Sequence, residues 1–253
     1  MAKERLDKII AQAGSWSRSD AKKLIRERKV SVNSVTASSP EMKCDPEADR
    51  IVVNGTALQY SKNVCLMMNK PAGVLTATKD SFARTVLDLL PSEYRKRNVF
   101  PVGRLDRDTE GLLLITDDGD LSHRLLSPRY HVDKEYLVTV EGSLSEEDVQ
   151  KFREGIVLAD GFSCMPAELE IVPGQSTDEI QNTQALVTIR EGKYHQIKRM
   201  FGVLGKPVLY LKRLRMGSLR LDESLKPGDF RLLTEEEMKI LRSSADSKDR
   251  DEI

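Results

Sequence analysis

The stretch Gly103-Arg104-Leu105-Asp106-Arg107-Asp108-Thr109-Glu110-Gly111 lies between the apolar lead-in Val99-Phe100-Pro101-Val102 and the apolar run Leu112-Leu113-Leu114-Ile115. A loop so densely charged beside a buried strand is costly unless the charges are paired or used. Asp106 sits between Arg104 and Arg107, so its carboxylate is expected to stay ionised, as a nucleophile or a base working near neutral pH requires. A purely structural, salt-bridged loop has the same spacing.

The apolar run to Thr116 is one of six strand-like segments. The others are Val64 to Met68, Glu135 to Val140, Ala167 to Val172, Ala185 to Arg190 and Val208 to Leu214. Helical candidates at Thr85 to Leu90, Leu121 to Leu126, Glu146 to Phe152 and His195 to Leu204 are too few and too short for a regular doubly wound sheet. The expected architecture is α+β on a mixed, largely antiparallel sheet over residues 64–241, followed by an acidic, disordered tail at 242–253.

Before this domain the pattern changes. Leu6, Ile9, Ile10 and Ala13 fall at helical spacing, with Gly14 where a helix would stop. Ser17 and Asp20 have capping-box spacing for a second helix, whose buried stripe is Ala21, Leu24 and Ile25. Its outer face repeats Arg18, Lys22 and Arg26 every four residues, a row able to follow a phosphate backbone. Short strands at Val30 to Asn33 and Arg50 to Val53, the latter before the turn signal Asn54-Gly55, complete a small unit over 1–58, and 59–63 reads as a linker.

The 253 residues carry 40 Lys+Arg against 40 Asp+Glu, with 39% hydrophobic and 32% charged residues. That balance excludes a wholly disordered chain, and no apolar run approaches a bilayer span or a signal segment, so a cytoplasmic protein is expected. Cys44, Cys65 and Cys164 are too scattered for a disulfide framework or a zinc site and read as reduced, buried thiols. The zero net charge hides two basic stretches, residues 1–30 and 190–220, set against acidic ones at 141–185 and from Glu235 onward. A polyanion binder has this distribution, although on charge alone ordinary solvated helix faces fit as well.

Residues 3–58 resemble the small alpha-L RNA-binding motif, on Arg5-Leu6-Asp7-Lys8, Ser17-Arg18-Ser19-Asp20-Ala21, Leu24-Ile25 and Val30-Ser31-Val32-Asn33. Arg28 and Ser34 stand where that family has glycine, so those turns tolerate positive φ or use other geometry. A second cluster, Glu191-Gly192-Lys193-Tyr194-His195-Gln196-Ile197-Lys198-Arg199-Met200-Phe201, leads on to Leu211-Lys212-Arg213 and Arg215. Together with the charged loop it resembles the RsuA-like family of rRNA pseudouridine synthases. Asn69-Lys70-Pro71-Ala72-Gly73, Thr116-Asp117-Asp118-Gly119-Asp120, Ser127-Pro128-Arg129 and Lys134-Glu135-Tyr136-Leu137-Val138 match as well, and the resemblance covers residues 3–240.

The resemblance implies that Asp106 is the essential catalytic carboxylate, that Tyr136 stacks on the target base and shuttles a proton, and that Lys198 pairs with the aspartate. It implies that Leu211 closes the pocket and that Arg104 helps flip or replace the target nucleotide. His195 and Arg199 lie in the same RNA-facing cluster and are expected to contact substrate. The reaction isomerises uridine to pseudouridine without redox change, so neither a cofactor nor a metal is expected. Whether Asp106 attacks ribose, attacks the base or removes a sugar proton stays open at this point.

Other readings are weaker. Asp106 and Asp108 as a glycosidase pair would sit in one short loop, with arginines opposing a raised acid pKa. Asp117-Asp118-Gly119-Asp120 lacks the spacing of a calcium loop and reads as a turn. Trp16 serves either the small domain's packing or a stacking contact. The expected function is isomerisation of a uridine in small-subunit rRNA, met as a ribosome-assembly intermediate, by a monomer with no membrane partner. The alternatives are a large-subunit rRNA target or a non-enzymatic assembly factor. A degenerate binder would have lost Asp106, Tyr136 or Lys198, and all three are present.

Overall fold

In the computed structural model, which describes residues 3–13, 16–46, 48–58, 63–173 and 182–246, the chain divides into two units. One comprises residues 1–64 with 90–99, the other residues 65–89 with 100–253.

The first unit runs through β1 (Glu4–Arg5), α1 (Leu6–Gln12) and α2 (Arg18–Arg26). Ser17 Oγ accepts from Asp20 N at 3.1 Å while Asp20 Oδ2 accepts from Ser17 N at 2.9 Å, the reciprocal box its spacing predicts. The strands β2 (Val30–Val32), β3 (Val35–Thr36), β4 (Lys43–Cys44), β5 (Ile51–Val53) and β6 (Thr56–Ala57) follow. They form a small sheet in the order β3-β2-β5-β6, with β4 paired to β1. Leu6, Ile9, Ile10, Ala21 and Ile25 meet Val30, Val32, Ile51 and Val53 in one core, and Trp16 packs against it, the first of its two readings. The segment Leu90–Val99 carries α3 (Ser92–Lys96). Gly14 and the linker positions 59–62 lie outside the described residues.

Buried Asp7 ties α1 to α2. It accepts from Arg5 Nε and Nη2, both at 3.0 Å, and from Arg18 Nη2 at 3.5 Å, and the Arg5 guanidinium holds its carboxyl below the usual range. The two positions that depart from the alpha-L pattern adopt the glycine-like backbone all the same, Arg28 at φ 58° and Ser34 at φ 69°. Asn54 and Gly55, at φ 52° and 80°, make the expected tight turn.

The second unit contains β7 (Cys65–Lys70), a 3-10 turn at Val86–Leu89, β8 (Phe100–Pro101), β9 (Glu110–Thr116), α4 (Gly119–Leu126), β10 (Lys134–Val140) and α5 (Glu146–Glu154). It continues through β11 (Glu168–Ile171), β12 (Thr183–Ile189), α6 (Gln196–Val203), β13 (Val208–Met216), β14 (Leu219–Arg220), β15 (Phe230–Leu232) and α7 (Glu235–Asp246). Its main sheet has the order β11-β12-β10-β13-β9-β7-β15, with β14 on β13 and β8 on β9. Only the β9–β13 pairing is parallel among the described strands, so the mixed, largely antiparallel α+β expectation holds.

The sequence patterns follow from position in this sheet. β7 is buried along its whole length and β9 along all but its first residue, which is why both read as continuous apolar runs. β10 instead alternates buried with half-buried residues, the period-two pattern of a strand covered mainly on one face. One core joins Met67, Leu112 and Leu114 to Leu121 and Leu125 of α4 and Leu241 of α7. Asp118 caps α4 by accepting from Leu121 N at 3.0 Å, which accounts for the acidic Asp117–Asp120 run as a turn. All three cysteines are free and buried, and burial pushes the Cys65 thiol up to about 12.

Helix α7 runs into the stretch expected as an acidic tail. α7 continues to Asp246 because fully buried Leu241 anchors it and Ser244 Oγ accepts from Ser218 N at 3.1 Å. Residues 247–253 lie outside the described residues. No helix among those described is long and apolar enough to cross a membrane.

Candidate active site

The loop between β8 and β9 is pinned from beneath by the chain that follows β7. Thr76 Oγ1 donates to Leu105 O at 2.8 Å and accepts from Leu105 N at 3.2 Å, and Gly73 N donates to Arg107 O at 2.7 Å. Lys70, fully buried at the end of β7, donates to Pro71 O at 3.0 Å, Arg107 O at 3.3 Å and Thr109 O at 2.9 Å. Burial lowers its ammonium to about 8. Gly111 ends the loop at φ 99°, where a Cβ would collide with the Arg213 carbonyl of the parallel neighbour β13, so the close strand approach requires glycine.

The opposing wall comes from the turn before α6. Glu191 Oε1 accepts from Gln196 Nε2 at 2.8 Å and from Met165 N at 2.9 Å, while Gln196 Oε1 accepts from Lys193 N at 3.0 Å. The Phe201 ring of α6 packs 4.9 Å from Phe152 of α5. Held at both ends, α6 delivers Lys198 Nζ to 3.2 Å from Asp106 Oδ2 and 2.6 Å from Asp108 Oδ1. Burial pulls the Lys198 ammonium down, but hydrogen bonds to Asp108 and Asp106 outweigh it and leave the group raised. His195, at φ 49° just before the helix, places Nε2 at 3.5 Å from Asp106 Oδ1 and stacks on Tyr194 with ring centroids 3.8 Å apart.

Asp106, Lys198 and His195 border a pocket open to solvent, lined also by Arg104, Tyr136 and Leu211. Tyr136 on β10 and Leu211 on β13 share its apolar side for a reason of register. Val138 lies opposite Leu211, and Tyr136 is two residues away on the same face of β10. Tyr136 is nearly buried, and its hydroxyl has no hydrogen-bond partner among the described residues. The site therefore offers a carboxylate held by a cation, an aromatic surface for a planar ring and an exposed guanidinium at the rim.

Two sequence expectations change. Neither Arg104 nor Arg107 forms an ion pair with Asp106; its partners come from the far cluster instead. Arg104 stays unpaired among the described residues on the pocket lining, and Arg107 Nε turns to Gly73 O at 3.2 Å. Arg199 does not line the pocket, because the next position on a helix points about 100° away from Lys198. It pairs with Asp160 Oδ2 at 2.5 Å. On α2, Lys22 and Arg26 are exposed and unpaired among the described residues, whereas Arg18 is drawn to Asp7. Lys70, Thr109 and Gln196 were not singled out from sequence. A lone lysine closing an apolar strand just before Pro71 is the signal that points to Lys70.

Comparison with known proteins adds matches to families, to relatives and to a solved structure. Residues 64–202 match the RNA pseudouridylate synthase family and residues 4–51 match the S4 domain. The chain is 44% identical over 237 residues to the uncharacterized RNA pseudouridine synthase YtzG of Bacillus subtilis, covering 94% of this chain and 98% of that one. It is 40% identical over 235 residues to ribosomal small subunit pseudouridine synthase A of Escherichia coli, covering 92% and 98%. Among solved structures, a crystal structure of a pseudouridylate synthase matches with a TM-score of 0.64 at 37% identity, covering 94% of this chain and 99% of that one.

Proposed function

The chain belongs to the RNA pseudouridylate synthase family, and on that premise we propose that it converts one uridine of small-subunit ribosomal RNA to pseudouridine in the pocket around Asp106. The observation that carries the reading is the Asp106–Lys198 pair facing Tyr136 across a pocket open to solvent. The uridine enters flipped from its stack, because a base inside a helix cannot be reached. Its uracil lies against Tyr136 and Leu211, with Arg104 at the rim near the vacated position. Asp106 carries the chemistry: the bond from ribose C1′ to N1 breaks, the uracil turns, and C5 is joined to C1′, while the proton lost from C5 is matched by one gained at N1, so that product and substrate have the same atoms. Lys198 holds the carboxylate in place.

The small-subunit target rests on the names of the Escherichia coli and Vibrio cholerae relatives, each 40% identical over 235 residues. Residues 1–58 form the RNA-docking domain, 59–63 the linker and 64–241 the catalytic domain of a monomer that acts in the cytoplasm on an assembly intermediate. A non-enzymatic binder is not favoured, since Asp106, Tyr136 and Lys198 are all retained.

The test is a map of pseudouridines in rRNA from cells with and without this protein. One small-subunit position loses its pseudouridine without the protein, regains it with the wild type and stays uridine with Asp106→Asn. Loss at a large-subunit position instead moves the target, and no loss anywhere overturns the reading.

A further inference from the structure

Phe82 is fully exposed, the most exposed of the large hydrophobic side chains among the described residues. A single exposed apolar side chain is ordinary; three features set this one apart. First, its loop is pinned. Leu75 bridges Thr85, with Leu75 N donating to Arg84 O at 3.0 Å and Val86 N to Leu75 O at 2.9 Å. At the tip, Asp80 Oδ1 accepts from both Phe82 N and Ala83 N at 2.8 Å, so the ring is presented from a closed turn. Second, the flanking Lys79 and Arg84 are exposed and form no ion pair among the described residues. Asp80, the acid between them, is occupied by the turn. Third, the loop is joined to the catalytic loop through the two Thr76–Leu105 hydrogen bonds, one residue before Asp106.

An aromatic face bracketed by two free cations is what an unpaired nucleotide binds, the ring stacking on the base and the cations meeting the adjoining phosphates. We propose that Phe82 is a substrate-binding residue that stacks on an unpaired base flanking the target uridine, with Lys79 and Arg84 holding the phosphates on either side. The inference rests on the reading of the substrate as RNA. Flipping a uridine leaves its neighbours with an uncovered face, and a ring carried on the catalytic loop's own support covers one of them.

The probe is a transcript of the small-subunit rRNA from the same organism. Phe82→Ala is expected to weaken binding about tenfold, within the range for one lost stacked base. Phe82→Tyr should bind like wild type, Phe82→Leu like the alanine variant, and melting should be unmoved in all three because the side chain contacts nothing it would leave unpacked. The single-turnover rate at saturating RNA should hold while the RNA concentration needed to reach it rises. In a Trp16→Phe background, Phe82→Trp provides a sole tryptophan whose emission should be quenched by the transcript. Wild-type affinity in Phe82→Ala, rescue by Leu equal to that by Tyr, or no quenching overturns the proposal. Failure of the wild type to form pseudouridine would overturn the functional reading instead, and the quenching arm reads stacking independently of turnover.

Discussion

Lys198 Nζ lies 3.2 Å from Asp106 Oδ2, but its shorter contact, 2.6 Å, is with Asp108 Oδ1. The two acids do not share it on equal terms, because the Asp108 side chain is 73% exposed and that of Asp106 only 27%. Solvent screens the first pair, so the second does more to orient a carboxylate. Lys198→Met should therefore lower single-turnover pseudouridine formation by about a hundredfold, the scale of an ångström's misplacement of a reacting group. Asp108→Asn should stay within about threefold of wild type, the scale of an exposed ion pair. Equal losses in the two variants would assign Asp108 a part in the chemistry.

Tyr136→Phe separates ring from hydroxyl. The ring remains on the face of β10 shared with Leu211, so RNA affinity should hold. If the hydroxyl moves a proton, the single-turnover rate falls by about a hundredfold or more. An unchanged rate would leave Tyr136 as a stacking surface alone.

Docking through α2 has an ionic signature. Lys22 and Arg26 are free to meet phosphates, and each contact releases condensed counterion. Replacing both by Ala should reduce the slope of log affinity against log salt by about 1.4 for single-stranded RNA, with the saturating rate unchanged. Arg18→Ala acts differently, since it also removes a partner of buried Asp7 and should destabilise the first unit. An unchanged slope in the double variant would leave RNA contact to the basic stretch at 190–220.

Arg28 and Ser34 hold left-handed backbone that costs an L side chain about 1–2 kcal/mol. Glycine removes that strain and adds back part of it as unfolded-chain entropy. Arg28→Gly and Ser34→Gly should each raise the stability of the first unit by about 0.5–1 kcal/mol, read as a higher urea midpoint. A lower midpoint would mean that the side chains make compensating contacts.

Asp7 predicts acid sensitivity in the same unit. Its folded pKa is depressed below the ordinary 3.8, first by the Arg5 hydrogen bonds. Below 3.8 the unfolded chain binds a proton that the folded one refuses, so the contribution is complete above that pH and is lost as pH falls through the depressed value. Hydrogen exchange of the α1 amides should accelerate in that window for the wild type. Asp7→Asn should exchange faster at pH 7 and show a flatter response to acid. Identical acid profiles would remove Asp7 as the cause.

What the amino-acid order determined by itself is the part governed by neighbours along the chain. The Ser17–Asp20 box, the Asn54-Gly55 turn, the alternation in β10 and the unbroken apolar runs of β7 and β9 are set within a few residues, where spacing and side-chain chemistry act without help from distant groups. The same locality made Arg104 and Arg107 look like the partners of Asp106. Only the tertiary structure decided that Lys198 and His195 take that place, because the pairing depends on α6 being anchored through Glu191, Gln196 and Phe201. It also decided that Lys70 is buried beneath the loop, that Arg199 turns to Asp160, and that α7 continues past Leu241. Each of these rests on contacts between segments far apart in sequence, whose free energy is set by burial and geometry that no short window of residues contains.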